Sequence, residues 1–196
     1  MGNQLMPNTN TVTVISDENA DWRPECGDQT TNLLRHIFPN DSDQAVRNKL
    51  VDSATEILKQ CINPSSTSSY QQKSGLIVGH VQSGKTLSFT TITAMAADNN
   101  FKLIIVVAGV TNNLNEQTYT RLKDDLNAQD TFGQFRIFNE PSIQHLNQFQ
   151  TAINSDKTVI VVLKKHYGKI NDLIELIEGI SPAGFNQPTL VIDDES

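Results

Sequence analysis

The chain has 196 residues, enough for one domain of ordinary size or for a domain with an appendage. Hydrophobic residues make up 37% and charged residues 19%, which supplies one sizeable core and is ordinary for a soluble globular chain. A formal net charge of −7 argues against a dedicated basic nucleic-acid clamp and leaves a local binding groove open. Cys26 and Cys61 cannot make a disulfide framework, and no Cys/His cluster has zinc spacing. The longest apolar runs, such as Leu103–Ala108, are strand-length, and no basic and apolar leader opens the chain. Met6 stands where the myristoylation pattern needs Ser or Thr. The expected setting is the reducing cytoplasm, with no membrane involvement.

Residues 1–27 are polar and irregular and read as a loosely held leader. Residues 28–62 form a helical element: Thr31–Phe38 and Asp43–Ile62 have helical spacing. In the second segment Val46, Leu50, Ala54, Ile57 and Leu58 recur at intervals of three and four, with Asp43 placed as an N-cap. Residues 63–72 are Ser-rich without apolar periodicity and predict a surface linker. From 73 to 196 the pattern changes. Short apolar, β-branched runs at 75–78, 103–108, 135–138, 158–163 and 190–192 alternate with amphipathic segments near 84–98, 112–128, 142–153 and 167–179. Continuous apolar strands alternating with helices predict an α/β fold with a parallel sheet covered on both faces.

Gly79-His80-Val81-Gln82-Ser83-Gly84-Lys85-Thr86 satisfies G-x-x-x-x-G-K-[ST]. Backbone N–H groups of such a loop converge on phosphate oxygens, and the following helix adds its positive end. Lys85 would reach the β/γ-phosphates and the Thr86 hydroxyl would bind Mg²⁺, with Leu87 closing the cofactor-binding run. His80 takes a position that is normally variable. The bland alternative is a strand-to-helix turn with an incidental lysine; a predicted strand before the motif and a predicted helix after it favour a nucleotide-binding loop.

Leu190-Val-Ile-Asp-Asp-Glu195 is a strand ending in carboxylates. Parsed as a hydrophobic strand followed by Asp-Glu, it makes Asp194 the magnesium residue, with Asp193 as the alternative ligand, and Glu195 the group that orients or deprotonates water. Its bland reading is a solvated acidic turn. After the run 103–108, Thr111, Leu114 and Gln117 match an x-T-x-x-L-x-x-Q pattern. A helix N-terminus there, with Thr111 and Asn112, suits a phosphodiester; alternatively Asn112 or Asn113 caps the helix while Leu114 packs inward. Lys164, Lys165 and His166 end the run 158–163 on the same rim, with Lys169 nearby, as a small backbone-binding patch or an ordinary solvated rim. His36 and His145 read as structural or surface residues.

At these motifs the chain resembles the Z-one-domain proteins, bacterial proteins with a superfamily-two helicase-like P-loop ATPase region. The resemblance covers about residues 70–196, and Val-Gln-Ser-Gly-Lys-Thr is its most specific part. It implies a RecA-like lobe of three-layer αβα form that binds ATP and Mg²⁺, with Lys85 and Glu195 catalytic. It also implies contact with nucleic acid, DNA above all, within a restriction or phage-defence protein whose endonuclease-like Z-one domain lies elsewhere. The match stops at Asp-Asp-Glu, so the expectation is an N-terminal fragment with weak or no turnover, because the transition-state arginine of such motors has no counterpart motif here. Self-association or a defence-system partner protein fits the same picture. The alternatives are a nucleotide-dependent switch without strand translocation, an interaction module with a vestigial loop, and a small-molecule or nucleotide kinase.

Overall fold

The computed structural model describes residues 22–66, 72–77, 85–127, 133–181 and 185–194. Four runs dense in Val, Ile, Leu and Phe form strands: β1 (Leu103–Ala108), β2 (Phe135–Asn139), β3 (Thr158–Leu163) and β4 (Thr189–Asp194). The intervening segments form α4 (Asn112–Leu122), α5 (Leu146–Asn154) and α6 (Tyr167–Ile180). They are preceded by α1 (Asp28–Ile37), α2 (Gln44–Leu58) and α3 (Lys85–Asp98). All strand pairs are parallel, in the order β2-β3-β1-β4, with Ile105 level with Val161 on one side and Val191 on the other. Parallel strands need crossovers that return the chain to the starting edge, so β1, β2 and β3 are each followed by a helix lying on a sheet face.

Both faces of the central strands β1 and β3 are covered. Ile104, Val106, Ala108, Ile160 and Val162 point to one face and join Phe89, Ile92 and Met95 of α3 and Leu122 of α4. Leu103, Val159, Val161 and Leu163 point to the other, against Phe149 and Ala152 of α5 and Leu173 and Leu176 of α6. The result is an αβα three-layer fold, which explains why the central runs are apolar at nearly every position.

A further helical pair covers the α3 side. Leu33 of α1 and Ala54 and Leu58 of α2 belong to the same buried cluster as α3 and the sheet. Thus α3 has the sheet on one flank and α1 and α2 on another, and every residue from Phe89 to Ala96 is buried. That stretch includes three threonines. Thr91 Oγ1 donates to Leu87 O (2.8 Å) and Thr93 Oγ1 to Phe89 O (2.8 Å), so their hydroxyls stay satisfied inside the core. At the far end Asp98 fastens α1 to α3. Its carboxylate accepts from Gly27 N (3.0 Å), Gln29 N (2.9 Å), Thr30 N (3.0 Å) and the Thr30 hydroxyl (2.6 Å). The first-turn N–H groups of α1 lack a cap of their own, since Gly27 has no side chain; the aspartate from α3 supplies it. A Cβ on Gly27 would stand 2.7 Å from the Asp98 carboxyl carbon, so glycine there is a matter of space.

The structure corrects several sequence-based expectations. Residues 75–77, expected in a strand, have no strand pairing: Leu76 is 75% exposed and Ile77 58% exposed. A strand exists only where its N–H and C=O groups meet a partner, and an apolar run alone does not provide one. The helix expected over 112–128 ends at Leu122 and passes into one π-helical turn, Lys123–Asn127. The segment expected over 142–153 begins with a 3-10 turn, Ile143–His145, and α2 starts at Gln44 without a side-chain cap from Asp43. Among the described residues no helix is long and apolar enough to cross a membrane.

Replacing Asp98 with Ala is expected to lower unfolding free energy by about 2–4 kcal/mol, since four donors lose a charged acceptor and three of them are backbone N–H groups. Asp98→Asn should cost less, because one acceptor oxygen remains. Urea unfolding with an unchanged m-value is the measurement; equal stability in all three proteins would refute the assignment.

Candidate functional site on the carboxyl rim of the sheet

In a parallel sheet every strand ends on the same edge, so the chain segments after β1, β2 and β3 gather there beside the end of β4. The first crossover, through α4, leaves β1 over one face. The crossover through α6 leaves β3 over the other. The two adjacent strands therefore splay their connections apart and open a crevice between them, the usual place for a ligand on an α/β sheet.

Gly109 turns the chain out of β1 at φ 54°, a conformation that disfavours any residue with a Cβ. Thr111 then caps α4: its side-chain oxygen accepts from Leu114 N at 3.3 Å, so the cap is Thr111 and neither Asn112 nor Asn113. Leu114 is only partly buried, and Asn115 takes the inward position instead. The segment after β3 lies alongside. Lys165 N donates to Gly109 O (2.6 Å), Lys164 Nζ to Asn112 Oδ1 (2.6 Å), and His166 Nδ1 accepts from Gly168 N (3.2 Å) as the cap of α6. Thr111, Asn112, Lys164, Lys165 and His166 thus stand together on one rim.

The rim is charge-compensated. Lys164 faces Glu140 at 3.8 Å, Lys169 faces Glu140 at 3.3 Å and Asp172 at 3.5 Å, and Lys165 pairs with Asp193 at 2.9 Å. The hydrogen bond to Glu140 is the main cause that raises the Lys169 pKa above its ordinary value. Glu140 is held at φ 46° directly after β2, with its N–H donating to Val162 O (2.8 Å). That left-handed turn is unusual for a residue with a side chain and sets the carboxylate between the two lysines.

Beneath them is a polar cleft of about 400 Å³ lined by Asn112, Asn115, Glu116, Asn139, Glu140, Lys164 and Lys169. Asn139 Nδ2 donates to Glu116 Oε2 (3.0 Å), and Asn115 Nδ2 donates to Asn139 Oδ1 (2.7 Å). The carboxylate can only accept, so it fixes which way each amide points. The chain of amides therefore ends on Asn115 Oδ1, a buried acceptor without a protein donor. Asn115, Asn139 and Glu140 escaped the reading of the sequence. The Asn-Glu-Pro-Ser cluster after the third apolar run was the available signal, while a buried asparagine inside a helix has none.

The far side of the rim separates the two candidate metal residues. Along β4, Leu190 and Ile192 pack into the cluster that contains α3, so alternation puts Asp194 on the α3 face and Asp193 on the α6 face. Asp193 is engaged by Lys165. Lys85 and Thr86 open the backbone of α3, and Leu87 O is used by Thr91. Gly79, His80, Val81, Gln82, Ser83, Gly84 and Glu195 lie outside the described residues, as do the side chains of Lys85 and Thr86. His145 is structural: it forms a capping box with Ser142, whose N–H donates to His145 Nδ1 at 3.2 Å. Among the described residues no group of three or more His, Cys, Asp and Glu side chains is placed to hold a metal ion. Compared with known proteins, the chain matches no family model, no curated protein and no solved structure.

Asn139→Ala removes the middle of the amide chain and leaves Asn115 Nδ2 unpaired, so a loss of about 1–3 kcal/mol in urea unfolding is expected. For Lys169 the folded pKa lies above the unfolded one, so its contribution is complete at neutral pH and disappears as pH rises through the folded value. The stability difference between the native chain and Lys169→Met should stay flat from pH 6 to 9 and narrow above the ordinary lysine value of 10.5.

Proposed function

We propose that this chain is the nucleotide-binding lobe of a P-loop ATPase with a RecA-like core, related to superfamily-two helicases and to the Z-one-domain proteins. The observation that carries the reading is one of placement. The helix that opens with Lys85-Thr86 packs on the sheet face to which alternation directs Asp194, and β4 ends on the rim from which α3 starts. A phosphate loop needs its lysine and hydroxyl at the start of such a helix and a carboxylate at the end of a parallel strand.

In this reading the loop from Gly79 to Gly84 cradles phosphate oxygens, Lys85 neutralises the β- and γ-phosphates, and Glu195 orients the attacking water. Thr86 and Asp194 would hold the Mg²⁺ that accompanies ATP, which supplies charge neutralisation of the phosphates. The donor set fits the ion: magnesium prefers hard oxygen ligands and is usually held by one or two carboxylates together with substrate phosphates, so no larger acidic cluster is required. The pairing of Asp193 with Lys165 supports Asp194 as the magnesium residue, because its carboxylate is not spent on a lysine of the opposite face. Thr111, Asn112, Lys164, Lys165 and His166 form the surface offered to a nucleic-acid backbone, DNA above all. Restriction or phage defence follows only from the Z-one resemblance.

One observation favours a second reading, a nucleotide-dependent switch without strand translocation. Lys164, Lys165 and Lys169 each face a carboxylate, which leaves the rim little net positive charge for a phosphodiester. The two readings separate on salt dependence: tracking of DNA predicts a steep loss of affinity with added salt, and the switch predicts weak, shallow binding.

Thermal unfolding with and without millimolar MgATP tests the nucleotide site. Ligand at about 100 times its Kd adds ~2.7 kcal/mol, which is a rise of several degrees for a chain of this size. The rise should vanish in Lys85→Ala, lose its magnesium dependence in Asp194→Asn and survive in Asp193→Asn. A rise unchanged in Lys85→Ala would overturn the assignment.

A further inference from the structure

Glu140 sits at a turn that its backbone makes costly. It leaves β2 at φ 46°, the left-handed region that a Cβ disfavours, and Pro141 after it narrows its backbone freedom further. Glycine or asparagine would hold such a turn at lower cost. The glutamate is explained by where the turn delivers its carboxylate. Lys169 Nζ lies 3.3 Å from it and Lys164 Nζ 3.8 Å. The Glu140 side chain is 20% exposed, against 39% for Asp193 and 40% for Asp172, the other acids paired with rim lysines.

Lys164 and Lys169 come from different segments, the end of β3 and the first turn of α6, and they converge on this one group. Lys164 spends its hydrogen bond elsewhere, on Asn112 Oδ1 at 2.6 Å. At 3.8 Å Glu140 is its neighbouring charge and not its hydrogen-bond acceptor. An ammonium has three donors, so the bond to Asn112 does not exhaust Lys164. Lys169 also meets Asp172 at 3.5 Å. Beside the two lysines the polar cleft of about 400 Å³ leaves room for a phosphate group. Two ammonium groups around one oxyanion suit a phosphate, and here a carboxylate of the protein fills the oxyanion's place. Partly exposed ion pairs contribute little stability, so exchanging this one for a ligand costs little.

We infer that Glu140 is a built-in competitor of phosphate: its carboxylate occupies the oxyanion position between Lys164 and Lys169, and a phosphate group that binds there displaces it. The ligand chemistry is a phosphate oxyanion, carried by a nucleic-acid strand or by free polyphosphate. The inference rests on the reading of this rim as a surface for a nucleic-acid backbone, and it says how lysines that are compensated at rest can still serve that surface. Glu140 lowers affinity for any anion, and a ligand is held only when its phosphate reaches both lysines.

Binding of a short oligothymidylate and of inorganic tripolyphosphate to the intact chain, measured from about 50 to 200 mM salt, tests it. Glu140→Gln and Glu140→Gly should each tighten oligothymidylate about 10-fold at the low-salt end. The log–log salt slope should steepen by about 0.7 for each further phosphate engaged. Glycine suits the left-handed turn, so Glu140→Gly keeps the test decisive where Glu140→Gln fails to fold. Added to Lys164→Met/Lys169→Met, Glu140→Gln should bring no gain. Equal binding by the native chain and both Glu140 variants would overturn the inference and leave the reading of the rim standing. A gain that persists without the two lysines would overturn it as well. Tighter tripolyphosphate with unchanged oligothymidylate keeps the competitor and removes the nucleic-acid reading. Binding of neither probe by any of these proteins removes both.

Discussion

The fold depends on the burial of the middle of α3. Its residues from Phe89 to Ala96 have the sheet on one flank and α1 and α2 on another, so the helix has no solvent stripe through its middle turns. A helix in that position has to satisfy its own polar groups, and it does so by returning the Thr91 and Thr93 hydroxyls to carbonyls one turn back. Its last residue, Asp98, then satisfies the start of α1. Packing and polar satisfaction thus converge on one element: remove the cover of α1 and α2 and an apolar helix face meets water, remove Asp98 and the cover loses its anchor.

The same element sets the geometry of the candidate site. Because α3 runs back from the rim to the start of β1, its first turn lies where the strands end, and the face it covers is the face to which Asp194 belongs. Asp193, one residue earlier, falls on the opposite face and meets Lys165. Neighbouring carboxylates on one strand therefore have different partners for a purely geometric reason, the two-residue period of a β-strand.

The rim couples its loops through compensated charge. Lys164 ties the start of α4 to Glu140 after β2, and Lys165 ties the turn at Gly109 to the end of β4. Exposed pairs of this kind contribute little stability individually. Their effect is positional, since they hold four separate segments in one arrangement beside a polar cleft lined by Asn115, whose buried Oδ1 has no protein donor. A ligand that engages one lysine would free a carboxylate on a different segment.

Much of this architecture is legible in the sequence. Leu103–Ala108 and Thr158–Leu163 are apolar at nearly every position, which a strand buried on both faces requires, and their alternation with helix-length segments implies the parallel α/β sheet. The G-x-x-x-x-G-K-[ST] match and the Asp-Asp-Glu run behind the proposed function are local patterns as well, readable because the chemistry proposed for them would demand fixed residue types at fixed spacing. Other features depend on contacts distant in sequence. No local pattern joins Asp98 to Gly27 and Thr30, 71 and 68 residues away, or makes α1 and α2 part of the core of α3. Nor does composition say that Lys164, Lys165 and Lys169 face carboxylates, since those partners come from other loops. Gly75–Ile77 marks the boundary between the two kinds of information. Its residue types alone predict a strand, but whether it is one depends on a hydrogen-bonding edge that only the assembled sheet can offer, because a strand is completed by its neighbour.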